Sequence, residues 1–161
     1  MTEIARFAHI SAGQYLLDAA DFDEKMAVDE IPLPRRATAG SAGYDFVCPV
    51  GVTLAPGEQR TIPTGLRVFM APGWVLINCP RSSLGRNHGL RLANTIGVID
   101  GDYVQAANEG HLLVTLLNGG DHPVTLRPGD RFCQGVFLPY GLAEEAEVTA
   151  ERRGGYGSTG L

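Results

Sequence analysis

From Gly43 onward the chain is a succession of short apolar runs broken by glycine, proline and aspartate. Phe46 to Leu54, Arg60 to Met70, Trp74 to Cys79, Leu90 to Ile99, His111 to Asn118 and Arg131 to Leu138 are rich in β-branched or aromatic residues. Ala55-Pro-Gly57, Ala71-Pro-Gly73 and Arg127-Pro-Gly129 punctuate them. Proline presets φ for the second position of a turn and glycine supplies the positive φ that follows, so each triplet marks a reversal. Strands at such regular spacing predict an all-β sandwich or barrel. Residues 1–30 read differently. Ser11 to Val28 carry apolar and acidic positions at loosely helical spacing without proline, which predicts a short helix or a mobile arm. Ile31-Pro-Leu-Pro34 ends it, because proline excludes helix before itself. No internal repeat and no linker marks a second domain. The expected organisation is one domain over 1–161: an arm (1–30), a β core (31–150) and a Gly-rich C-terminal tail (151–161).

Composition narrows the function classes. A chain of 161 residues, 44% hydrophobic, can bury a real core. No apolar run approaches bilayer length, and Met1-Thr-Glu-Ile-Ala-Arg6 is not a basic region followed by an apolar stretch, so neither membrane nor secretion is expected. Cys48, Cys79 and Cys133 are isolated, without CxxC spacing, and read as buried free thiols in a reducing cytoplasm. A net charge of −5 argues against a nucleic-acid polymer as partner. A nucleoside triphosphate would need positive charge concentrated locally. Lys25 is the only lysine, but Arg81, Arg86, Arg131, Arg152 and Arg153 fall near the candidate motifs, and a divalent cation on the phosphates would supply the rest.

Two segments carry candidate chemistry. Arg152 to Leu161 have no apolar period, yet hold an aromatic, two hydroxyls and two arginines among glycines. This suits a flexible flap that orders over a flat ring and phosphates; a disordered terminus is the other reading. Ile96 to Ile99 form an apolar strand that runs into Asp100-Gly-Asp102. A carboxylate at such a strand end is well held for general-base work, although Asp-Gly is also an ordinary hairpin turn.

The order of motifs resolves these alternatives. Ala42-Gly-Tyr-Asp-Phe46, Pro80-Arg-Ser-Ser-Leu-Gly85, Gly97-Val-Ile-Asp-Gly-Asp-Tyr103, Arg127-Pro-Gly-Asp-Arg-Phe-Cys-Gln134 and Gly154-Gly-Tyr-Gly-Ser-Thr-Gly160 together resemble the five motifs of the trimeric dUTP diphosphatases (dUTPases). The resemblance runs from about Ile31 to the end. Asn108-Glu-Gly-His-Leu-Leu-Val114 is similar to the variant of Gram-positive bacteria and their phages.

The resemblance implies a jelly-roll-like fold, a homotrimer with shared sites, and hydrolysis of dUTP to dUMP and pyrophosphate, which limits uracil incorporation into DNA and supplies dUMP. Asp100 matches the carboxylate that activates water. Asn94, with the backbone of Gly97, Val98 and Ile99, matches the uracil reader. Tyr103 matches the ring beneath the deoxyribose. Arg81, Ser82, Ser83 and Gln134 match the triphosphate contacts, although Gln134 also suits the solvent face of a strand. Asp45 either holds a water on Mg²⁺, itself carried by the phosphates, or braces the site. In the tail, Tyr156 and Gly157 match the uracil cover, and Ser158 and Thr159 the phosphate contacts. The family's tail arginine is replaced by Glu151, which leaves Arg152 or Arg153 for the γ-phosphate.

Two other readings have different requirements. A dCTP deaminase shares the fold and needs a glutamate in a Thr-Leu-Glu-like run, where this chain has Val114-Thr-Leu-Leu-Asn118. A binding or regulatory protein on the same scaffold would not need Asp100 or the tail.

Overall fold

The computed structural model describes residues 3–144 and 154. Strand β1 (Ala5–His9) and helix α1 (Ala12–Asp18) come first, followed by β2 (Arg35–Arg36), β3 (Tyr44–Val47), β4 (Val52–Leu54), β5 (Gln59–Pro63), β6 (Leu66–Met70) and β7 (Trp74–Pro80). Helix α2 (Ser82–His88), β8 (Leu90–Leu92), β9 (Gly97–Ile99), β10 (Leu113–Asn118), β11 (Val124–Leu126) and β12 (Arg131–Pro139) complete the order. All pairings are antiparallel. The largest sheet runs β2-β3-β12-β7-β9; β5-β10-β8, β11-β4 and β1-β6 form the others.

The alternation that predicts strands also builds the core. Along β10, Val114, Leu116 and Asn118 point inward while the hydroxyls of Thr115 and Thr61 pair outside at 2.9 Å. Phe46, Leu54, Ile62, Leu76 and Phe132 are fully buried between the sheets. The Pro-Gly signals are turns with a positive φ at Gly57, Gly73 and Gly129. Glu58 N–H donates to Ala55 O at 3.0 Å and Asp130 N–H to Arg127 O at 3.0 Å, closing two of them.

Three of the expected runs are each two strands, and the breaks have local causes. Pro49 lacks the N–H that a continuous ladder from Phe46 to Leu54 would require. Gly65, at φ +73°, separates β5 from β6 and donates its N–H to the buried His111 ring at 2.8 Å. Thr95, at φ +70°, turns the chain between β8 and β9, which pair with β10 and β7 respectively and so belong to different sheets. Helix α2 interrupts the stretch expected to be strand throughout. It shows no apolar period in sequence, and only Leu84 within it packs against the core. Gly89, left-handed at φ +66°, ends it.

Before residue 31, where a short helix or a mobile arm is expected from Ser11 to Val28, the α-helix is α1 alone, Ala12–Asp18, and β1 ahead of it lies outside the expected strand runs. Ser11 caps it, its hydroxyl accepting from Gln14 N–H at 3.1 Å. Tyr15, Ala19 and Phe22 are buried with the β residues, and β1 pairs with β6 from Ala5↔Met70 to His9↔Leu66. The three cysteines are free; Cys48 and Cys133 are buried and Cys79 half-buried. Burial pushes the Cys48 thiol up to about 12 and Cys133 well above its ordinary value, as expected of inert core thiols. No helix among the described residues is long and apolar enough to cross a membrane.

Candidate active site

Strands β3, β12 and β7 lie side by side, with Gln134 of β12 opposite Asp45 of β3 and Cys79 of β7. The chain leaves β7 at Pro80 and enters α2 through Arg81, its N-cap residue. This brings the polar residues of three sequence motifs to one end of the large sheet. Asp45 is held by two guanidinium groups: Arg81 Nε lies 3.2 Å from Oδ1 and Arg131 Nη1 lies 3.0 Å from Oδ2. Arg81 also donates to Arg131 O at 3.3 Å. Gln134 Nε2 donates to Pro80 O at 3.3 Å. Its Oε1 packs close over Gly43, where a Cβ would sit 2.6 Å away and push the glutamine side chain aside.

These residues, with Ser82, line a cleft of about 360 Å³. Ser82 and Ser83 form the exposed first turn of α2. Two arginines against one carboxylate leave the cleft cationic in an anionic chain, the setting a polyanionic ligand needs. Arg131 stands in the fourth motif but was not among the expected contacts; its ion pair with Asp45 is a tertiary fact that spacing does not show.

The other expected residues lie elsewhere. Gly97 faces Asn78 and Ile99 faces Leu76 across the β7–β9 ladder, so β9 leads away from the Pro80 end. Asp100 follows β9 as the N-cap of a 3₁₀ turn, Gly101–Gln105, and is exposed. Four to five residues along β7 separate the two positions, roughly 15 Å at a strand's rise. Asp100 shares a second cleft, of about 730 Å³, with Trp74, Ile77, Val98, Asp102 and Tyr140. Val98 is 61% exposed and Ile96 45%, an uncovered apolar surface beside the carboxylate. Asn94 is exposed in the turn that leads into β9.

Tyr103 is buried in the 3₁₀ turn. Its hydroxyl donates to His111 O at 2.9 Å and accepts from Asn108 Nδ2 at 3.1 Å. The hydroxyl is thus anchored inward. Arg153, Tyr156, Gly157, Ser158 and Thr159 lie outside the described residues, as do Glu151 and Arg152.

The described residues contain no group of three or more His, Cys, Asp or Glu able to hold a metal ion. Asp45, the carboxylate expected on the metal side or as a brace, is engaged by both guanidinium groups. The Thr-Leu-Leu run, where a deaminase would carry its glutamate, is β10, and none of its residues is acidic.

Comparison with known proteins identifies the family. The dUTPase family model matches residues 29–160. The chain is 46% identical over 133 residues to the deoxyuridine 5′-triphosphate nucleotidohydrolase of Lactococcus lactis, spanning 81% of this chain and 89% of that protein. It is 41% identical over 140 residues to the corresponding protein of Tolumonas auensis, spanning 82% and 89%. The crystal structure of dUTPase from Streptococcus mutans superposes with a TM-score of 0.71 at 38% identity, covering 86% of this chain and 98% of that one. The dUTPase from phage phi11 of S. aureus shares the fold at 19% identity, with a TM-score of 0.69 over 92% and 97% of the two chains. A variant of that phage protein coordinates a structural Mg(II) ion. With its motif residues gathered at the ends of one antiparallel sheet and a family match over most of its length, the chain belongs to the dUTPase family.

Proposed function

We propose that this chain hydrolyses dUTP to dUMP and pyrophosphate, in sites assembled from several copies of itself. The observation that carries this reading is the split between a cationic cleft at Asp45, Arg81, Arg131 and Gln134 and a carboxylate, Asp100, at the other end of β7. Roughly 15 Å of strand separates them. A second copy that brings its Asp100 to the first copy's cleft completes the site, and covers Val98 and Ile96 in doing so. A closed homotrimer satisfies this with three identical heterologous interfaces.

In this reading the triphosphate lies against Arg81, Arg131, Gln134 and the first turn of α2 at Ser82 and Ser83. Arg81 and Arg131, already oriented by Asp45, offer further N–H groups to phosphate oxygens. Asp100 orients a water and takes its proton as the water oxygen bonds to the α-phosphorus. The bond from the α-phosphorus to the bridging oxygen breaks, and pyrophosphate leaves. Positioning of this kind contributes about 10²–10⁴-fold. Asn94 offers an amide donor and acceptor to the uracil edge, and the Gly97–Ile99 backbone completes the reading. The Tyr103 ring forms the floor of the sugar position, without room for a 2′-hydroxyl. Asp45 would hold, through water, a Mg²⁺ carried by the phosphates, and the ion would supply neutralisation of part of their charge. The tail residues Tyr156 and Gly157 cover the base, and Ser158, Thr159 and Arg153 contact the phosphates. A reducing, cytoplasmic setting suits the three free thiols.

The test is pyrophosphate release from dUTP, UTP, dTTP and dCTP, each with Mg²⁺ and with EDTA. Release from dUTP alone, lost in EDTA, is expected. Ammonia release from dCTP would move the chain to deamination, and no release from any substrate would leave a binding protein on this scaffold.

A further inference from the structure

His111 is fully buried, polar, and outside the residues assigned above. Its ring has two partners. Gly65 N–H donates to Nε2 at 2.8 Å, so that nitrogen accepts and carries no proton. The proton is then on Nδ1, which lies 2.5 Å from Asp18 Oδ2 in α1. Gln14 Nε2 donates to the same Asp18 oxygen at 2.9 Å. Two residues before His111, the Glu109 carboxylate accepts from Ser11 N–H at 2.8 Å and Ser11 Oγ–H at 2.5 Å, at the other end of α1. Both ends of this helix are therefore bonded to the segment 109–111.

That segment in turn fixes Tyr103. His111 O accepts from the Tyr103 hydroxyl at 2.9 Å, and Asn108 Nδ2 donates to both oxygens, at 3.1 and 3.4 Å. Gly110 lies directly against the 3₁₀ turn: at φ +71°, a Cβ on it would sit 2.5 Å from Val104 Cα and 2.9 Å from Tyr103 O. No slack exists between the clamp and the tyrosine.

We infer that the Asp18–His111 pair is a positioning device that lets the N-terminal helix set the sugar selectivity of the site through Tyr103. The inference rests on the dUTPase reading above. Exclusion of a 2′-hydroxyl by contact depends steeply on distance, so a displacement of a fraction of an ångström at the ring admits ribose. Asp18 itself lies far along the chain from every motif and touches no substrate in this scheme.

The test compares kcat/KM for dUTP and UTP in the full-length chain and in D18A and D18N. A general loss of folded protein lowers both values equally and cancels in their ratio. Expected is a fall of about tenfold or more in the dUTP-to-UTP ratio for D18A. D18N, whose amide oxygen still accepts from Nδ1–H, should stay within a few-fold of the unsubstituted chain. An unchanged ratio in D18A overturns the inference. Amide hydrogen exchange over residues 101–112 gives a readout that needs no turnover. Faster exchange in D18A is expected, and unchanged protection overturns the clamp. An unsubstituted chain that does not hydrolyse dUTP overturns the functional reading itself, a result separate from a variant that hydrolyses it with unaltered selectivity.

Discussion

Gly135 shows how tightly the sheet is packed one residue from Gln134. A Cβ there would meet Leu76 Cδ1 at 2.8 Å, Phe46 Cε2 at 3.1 Å and Asn78 Oδ1 at 3.2 Å. Leu76 and Phe46 are both fully buried, so neither has open space to withdraw into. Gly135→Ala is expected to cost about 1–3 kcal/mol through overpacking. Thermal melting should register this as a loss of about 2–4 °C per kcal/mol. Asp100→Asn makes the opposite kind of prediction. The side chain is exposed, so the fold should be untouched. In the proposed reaction an amide cannot take the water's proton, so kcat for dUTP should drop by about 10²-fold or more with substrate binding retained. Equilibrium binding of a non-hydrolysable dUTP analogue, alongside steady-state turnover, checks both halves.

At the scale of elements, the attachment of α1 to the 109–111 segment has a pH signature. Burial holds the His111 imidazole below its ordinary value, against the opposing pull of Asp18 and Glu109. The unfolded chain takes up that proton near pH 6.5, while the folded chain resists it. The contribution to stability is therefore fully present above about pH 6.5 and is lost as pH falls below it, toward the folded value. Glu109 is held below the usual carboxylate range, first by the Ser11 hydroxyl and Ser11 N–H and then by Arg67 and His111. Its contribution is present above that range and is lost only at lower pH. Melting temperatures should accordingly decline from pH 7 toward pH 5, before the carboxylates titrate. In His111→Asn this part of the slope should be absent, because asparagine does not ionise. Equal slopes in the two proteins would mean that His111 is not the group responsible.

At the scale of the whole molecule, the separation of the two clefts makes the assembly testable by mixing. Asp100→Asn alone should be inactive, and so should Arg81→Ala alone. If every site takes Arg81 from one copy and Asp100 from another, co-refolding equal amounts restores about a quarter of the sites, those that draw each intact residue from the chain that retains it. Sites contained within one chain would give no recovery. Removal of the residues after Glu151 should leave the oligomeric state unchanged by light scattering while crippling turnover. A fall to monomers would instead make the tail an assembly element.

Local patterns decided much of this protein. Alternation along the apolar runs specified strands, because side chains in extended backbone point to opposite faces, and Pro-Gly pairs specified turns through φ alone. Five short motifs in order specified the family, since chance rarely places five in register. Other features depend on partners distant in sequence. Thr95 and Gly65 break runs that look continuous, because the halves pair with different strands. Helix α2 has no amphipathic stripe and is kept by its place between β7 and β8, with Leu84 turned to the core. The pairing of Asp45 with Arg81 and Arg131 joins residues as much as 86 positions apart. The Asp18–His111 contact spans 93, and neither residue stands in one of the five motifs. Nothing local distinguishes a buried imidazole from an exposed one; its pKa, its tautomer and its hold on Tyr103 exist only once the chain has closed around it.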